Sequence, residues 1–105
     1  MAAQPHNAPA ITVEQWRDLQ RASHDVKHEY IDGQLYAMAG GSLDHSAIAI
    51  NVVIALSAAL APGPCRVYNS DAAVRLSARR SVYPDATVTC AEDDRGGVTE
   101  VRAPA

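Results

Sequence analysis

The sequence predicts a single α+β domain, and three observations carry that expectation. An Asp32-Gly33 pair sits between β-rich flanks, the strongest short hairpin signal because both turn positions need positive φ. A long helical run from Ala47 to Ala61 carries no charge. Two stretches, Cys65 to Leu76 and Val82 to Cys90, alternate apolar and polar residues as strands do. A length of 105 residues suits one domain, and 48% apolar content supplies a core.

Residues 1–10 hold Pro5, Asn7 and Pro9 without periodicity and read as a disordered leader, leaving 11–105 as the domain. Thr12 with Gln15 three positions later forms a capping-box pattern. Val13, Trp16 and Leu19 follow on one side, so a short amphipathic helix is expected from about Thr12 to Ala22. In the hairpin, a two-residue turn pairs Ile31 with Gln34, Tyr30 with Leu35 and Glu29 with Tyr36. Gly40-Gly41 breaks the chain, Ser42 can cap the long helix, and Pro62-Gly63-Pro64 ends it.

Between Ala47 and Ala61 only Asn51 and Ser57 are polar. The run is shorter than the roughly 20 residues a bilayer needs. A helix buried on most sides and packed on a sheet is therefore expected, with no membrane span. Ser77-Ala78-Arg79-Arg80-Ser81 then connects the two alternating stretches as antiparallel strands. From Ala91 onward the chain is charged and Gly-containing, and no element is expected there.

A net charge of −3 argues against a broad basic footprint for nucleic acid, but leaves room for an acidic pocket beside a local basic patch. Cys65 and Cys90 have no Cys or His neighbour at zinc spacing and read as free core thiols. Met1 to Ala10 shows neither a basic start nor an apolar run, so no signal peptide is expected. Reduced thiols and the missing export signal together point to the cytoplasm.

The chemistry centres on carboxylates. Ala72, Val74 and Leu76 share parity, as do Ala86, Val88 and Cys90. If both sets face the core, Asp71 and Asp85 fall together on the opposite face, as diagonal neighbours about 7–8 Å apart. Two such carboxylates are relieved by water, by a shared proton or by a bridging cation. Mg²⁺ suits them, because it takes one or two carboxylates plus water and substrate phosphate. Pro84 forfeits a ladder hydrogen bond and so places Asp85 at an edge, a strand start or a bulge. His45 stands in the first turn of the long helix, where the dipole favours a neutral ring that binds metal or accepts a proton. Glu29 is a further acid on the hairpin. Arg75, Arg79 and Arg80 form the basic cluster able to meet DNA phosphates.

The order Thr12-Val13-Glu14-Gln15, His28-Glu29-Tyr30-Ile31-Asp32-Gly33, Ala39-Gly40-Gly41-Ser42, His45, Cys65-Arg66-Val67-Tyr68, Ser70-Asp71 and Tyr83-Pro84-Asp85 resembles the Uma-type restriction endonuclease family. That family lies in the PD-(D/E)XK phosphodiesterase superfamily. The resemblance implies a restriction-endonuclease-like core that binds Mg²⁺ and cleaves DNA. It makes Asp85 the first metal ligand, with Asp71, His45 and Glu29 as catalytic candidates near the pocket. It also implies a later strand with a second acid and a helix with a lysine, which this sequence does not reach before Ala105.

The expectation is therefore a truncated, Mg²⁺-dependent DNA endonuclease that is silent by itself. The alternative is a non-catalytic remnant or interaction module that pairs through an exposed sheet edge, as in a homo-oligomer.

Overall fold

The computed structural model describes residues 9–23, 25–38, 41–95 and 100–105. Most of the expected leader (1–8), Ala39-Gly40 and the Gly-rich part of the tail (96–99) lie outside the described residues. The fold is mixed α+β, consistent with a restriction-endonuclease-like architecture. The chain divides into two units, Met1–Gly40 with Leu76–Val82, and Gly41–Arg75 with Tyr83–Ala105.

The first unit opens with α1 (Val13–Ala22), capped as its sequence requires. The Thr12 hydroxyl accepts from the Gln15 N–H, and the Gln15 side chain accepts from the Thr12 N–H, so two orphan donors are satisfied together. Trp16 is buried and its indole N–H donates to the His28 carbonyl at 2.7 Å. Its ring lies 6.0 Å from that of Tyr30, whose hydroxyl donates to the Ile11 carbonyl. These two aromatics tie the helix to the hairpin of β1 (His28–Ile31) and β2 (Gln34–Ala37).

The hairpin register is the expected one, with Glu29 opposite Tyr36, Tyr30 opposite Leu35 and Ile31 opposite Gln34. Asp32 and Gly33 take φ of 50° and 82°, the left-handed pair a tight turn demands. Glycine is required at 33 for space as well, since a Cβ there would lie 2.8 Å from the Ala10 Cβ. Gly33→Ala is expected to cost about 1–2 kcal/mol, read as a lower urea midpoint at unchanged slope. Strand β5 (Arg80–Val82) pairs with β1, placing Ser81 opposite Tyr30.

In the second unit, α2 (Leu43–Leu60) is capped by Ser42, whose hydroxyl accepts from the His45 N–H at 3.0 Å. Here the structure corrects the sequence reading. Not one residue of α2 is buried. The helix rests on β3 (Arg66–Asn69) and β6 (Ala86–Thr89) through a single half-buried stripe, Ala49, Val53, Leu56 and Leu60. A four-residue stripe repeating every three to four positions covers one face only, and the other faces are open.

The two alternating stretches do not form one continuous hairpin. Asn69 ends β3 in a turn, its side-chain oxygen accepting from the Asp71 N–H at 3.0 Å and its carbonyl from the Ala72 N–H. The chain resumes as β4 (Ala73–Ser77), and Tyr83-Pro84-Asp85 likewise separates β5 from β6. Strands β3 and β6 make their own two-stranded sheet, while the other sheet runs β2-β1-β5-β4 and then β7 (Glu100–Val101). Val67 faces Val88 and Asn69 faces Ala86, so paired numbers sum to an odd value. The even-sum register that put Asp71 and Asp85 on one face is overturned. Both acids instead lie in the two breaks beside the Asn69–Ala86 end of this ladder.

The same register carries Cys65 to Cys90, one step beyond Arg66 opposite Thr89, and the two form a disulfide. The expectation of free thiols is therefore wrong, and the argument from reduced thiols to the cytoplasm falls with it. The bridge closes a separation of 25 residues, for which the loop-entropy model gives about 3 kcal/mol. Thiol titration in denaturant should find no free thiol before reduction, and Cys65→Ala/Cys90→Ala should lower stability by about that amount.

The tail, too, forms structure where none was expected. A short 3-10 turn (Glu92–Asp94) leads toward β7, which runs parallel to β4 with Glu100 beside Ala73 and Val101 beside Val74. Asp94 is 2% exposed and holds this end together. Its carboxylate accepts from the backbone N–H groups of Arg102 and Ala103, both at 2.9 Å, and from the Thr89 hydroxyl at 2.8 Å. Its carbonyl accepts from the Tyr68 hydroxyl. The Arg102 N–H, then the Thr89 hydroxyl, the Ala103 N–H and the Arg102 charge hold the carboxyl below its usual range, outweighing the opposing effect of burial.

Candidate active site

Two of the four predicted catalytic residues meet. His45 Nε2 lies 3.0 Å from Asp85 Oδ2, with the side chains 54% and 57% exposed. Each is placed by a local break in regular structure. Ser42 starts α2 so that His45 falls in its first turn, and Pro84 interrupts the strand so that Asp85 precedes β6. Gly41 helps to position the imidazole. A Cβ at that position would lie 3.1 Å from His45 Cδ2 and 3.2 Å from Cγ, so any side chain there would press on the ring. In the sequence Gly41 marks a chain break and part of the Ala39-Gly40-Gly41-Ser42 motif, and its place one residue before the cap is the signal for this positioning role.

Asp71 takes a different neighbourhood. The Tyr83 phenol is pushed up first by burial, then by the carboxylates of Glu100 and Asp71, which places each carboxylate within electrostatic reach of the phenol. The Tyr83-Pro84-Asp85 segment thus has its buried tyrosine beside Asp71 and Glu100, and its exposed aspartate on His45. Glu100 was not among the sequence-predicted site residues. It stands out once β7 is seen to pair with β4, a two-residue strand that leaves no periodic trace.

Glu29 belongs to the first unit, on β1 opposite Tyr36. Of the three arginines, Arg79 lies 3.5 Å from Asp32, and its carbonyl accepts from the Asp32 N–H at 2.7 Å. This arginine braces the hairpin turn. Arg80 stands on β5 in the same unit, and Arg75 on β4 belongs to the second.

Among the described residues no group of three or more His, Cys, Asp or Glu converges on a metal position. One carboxylate with one imidazole is a sparse donor set. It fits a cation that keeps most of its shell as water and phosphate, as Mg²⁺ does, and not one that needs a full protein cage, as structural zinc does.

The mixed α+β fold is consistent with the restriction-endonuclease-like class. Residues 13–105 match the Uma2 family, described as "Putative restriction endonuclease", and the chain belongs to that family. It is 40% identical over 82 residues to the uncharacterized protein slr1290 of Synechocystis sp.. That match covers 77% of this chain and 41% of the relative, so the chain spans about two fifths of the relative's length. No solved structure matches it.

Proposed function

We propose that this chain carries the metal-anchoring part of a Mg²⁺-dependent endonuclease that hydrolyses DNA phosphodiester bonds. The single observation behind the proposal is the 3.0 Å contact between His45 and Asp85 at the Pro84-Asp85 break, in a chain of this family. In this reading Asp85 is the anchoring carboxylate, and Asp71, two residues past the end of β3, adds negative potential. His45 orients Asp85 and is placed to take a proton from water. Mg²⁺, when bound, supplies a more acidic water and neutralises charge at the phosphate. DNA is the macromolecular partner, Arg75 and Arg80 are candidate phosphate contacts, and the cytoplasm is where the substrate lies.

Because few protein donors gather here, metal and DNA should depend on each other. A cation held there by Asp85 would take further ligands from water and a DNA phosphate, so metal and DNA would each raise affinity for the other by one common factor. Fluorescence anisotropy with a short duplex tests this, using Ca²⁺ beside Mg²⁺ to separate binding from cleavage. At constant ionic strength, millimolar divalent ion should tighten DNA binding about tenfold or more. Nonspecific binding moves the other way, since added cations compete for the phosphates. Affinity that stays flat or falls as the ion is added would count against the proposal.

A further inference from the structure

We infer that the Cys65–Cys90 disulfide is a dithiol-reducible switch that locks and releases the end of β6 together with the chain docked on it. The second unit is built from two chain segments, Gly41–Arg75 and Tyr83–Ala105. With two cysteines in the sequence and neither free, this bond is the covalent tie between those segments besides the chain itself. It lies one step beyond Arg66 opposite Thr89, the last pair of the β3–β6 ladder. A two-stranded ladder of four pairs is marginal by itself, and its ends open first. The bond closes the end that would open.

That end carries the tail. The buried Thr89 hydroxyl lies 2.8 Å from the Asp94 carboxylate and 3.0 Å from the Ala103 carbonyl. Thr89 also bridges to Pro104, and the Ala105 N–H donates to the Val88 carbonyl at 2.7 Å. Asp94 in turn receives the Arg102 and Ala103 N–H groups. All of these contacts run through Val88, Thr89 or the turn that follows Cys90. With the bond open, fraying at Arg66–Thr89 loosens them together. Ala73, Val74 and Val101 are buried along the β4–β7 pair in the other sheet, and they keep the reduced chain folded.

The bond is open to attack. Cys90 is exposed, and Cys65 is half-buried on the wall of an open cleft of about 520 Å³ that it shares with Ser57, Leu60, Pro62 and Tyr68. A thiolate of a small or protein dithiol attacks Cys90 Sγ to form a mixed disulfide, and Cys65 leaves as the thiolate. The second thiol of the reductant then displaces Cys90. The protein's S–S bond is broken and two S–H groups form. The reductant gives up two electrons and two protons and becomes a disulfide. Arg95 donates to the Pro64 carbonyl, bringing a positive charge to the residue before Cys65, which favours a thiolate there. A bridge closed to solvent resists such exchange, whereas an exposed one follows the redox state around it. Neither DNA nor a cation at Asp85 enters this switch.

Reduction of the full chain under native conditions, followed by amide hydrogen exchange, provides the test. Without denaturant and at mildly alkaline pH, millimolar dithiothreitol should expose both thiols to alkylation while far-UV circular dichroism stays unchanged. Exchange at Arg102, Ala103 and Ala105 should then quicken about tenfold or more, while the β1–β2 hairpin amides keep their rates. Reoxidation should restore the slow exchange. Cys90→Ser should exchange fast at those same amides with or without dithiothreitol. A bond that yields only in denaturant, a chain that unfolds on reduction or with Cys90→Ser, or tail exchange that ignores reduction each overturns the proposal. So do free thiols in the protein before any reductant is added.

Discussion

Replacing Asp94 with alanine is expected to lower the unfolding free energy by about 4 kcal/mol, a large share of the roughly 5–15 kcal/mol a domain has. The carboxylate receives two backbone N–H groups and the Thr89 hydroxyl in a place almost closed to water. Hydrogen bonds to a charged group contribute about 1.5 kcal/mol or more each, and the alanine would leave the Arg102 and Ala103 N–H groups with nothing to meet, while the Thr89 hydroxyl keeps the Ala103 carbonyl at 3.0 Å. Asp94→Asn keeps one oxygen but turns a donor toward donors, so it should recover little. Urea unfolding followed by far-UV circular dichroism measures both. A loss under about 1 kcal/mol for the alanine would show that the tail is held by something else.

Asp94 also sets an acid limit. Its folded pKa lies below the unfolded one, so its stabilisation is full above the ordinary carboxylate range. As pH falls through the depressed folded value, that contribution disappears. The protein should therefore weaken progressively below about pH 4, and Asp94→Ala should flatten that part of the profile.

The second large effect concerns Asp85. Asp85→Ala should remove the divalent-ion enhancement of DNA binding altogether, about tenfold or more, while leaving the melting temperature nearly unchanged. The carboxylate is more than half exposed, and its contact with His45 is an open surface pair, which adds little to stability. His45→Ala should reduce the enhancement by about threefold, because the acid remains but is no longer held. Equal affinity of wild type and Asp85→Ala for DNA in Mg²⁺ would remove Asp85 from the role given to it.

Which features were legible depends on how local their causes are. The capping box at Thr12, the Asp32-Gly33 turn with its exact cross-strand partners, and the Ser42 cap are set by residues within a few positions of each other. The Pro84-Asp85 break and His45 were legible for the same reason. The register of the long strands was not. Alternation in Cys65 to Leu76 hid a turn at Asn69-Ser70-Asp71, whose polar, turn-forming side chains signalled a stop that the parity argument passed over. Once β3 and β4 enter different sheets, parity in one stretch says nothing about the other. Cys65 and Cys90 meet because of that same register, so their pairing was out of reach of spacing alone. The uncovered state of α2 was also illegible, since an all-apolar run reports a need for cover and not what supplies it. Asp94 and Glu100 depend on a two-residue parallel pairing, the kind of contact that leaves no pattern in the chain.

Residue-resolved NMR during a Mg²⁺ titration addresses the metal anchor at Asp85 most directly. Saturable shifts should concentrate at His45, Asp85 and Asp71, reach one ion per chain, and vanish in Asp85→Ala. Shifts spread evenly over the exposed acids, unsaturated and unchanged by that substitution, would mean that no ion is anchored here.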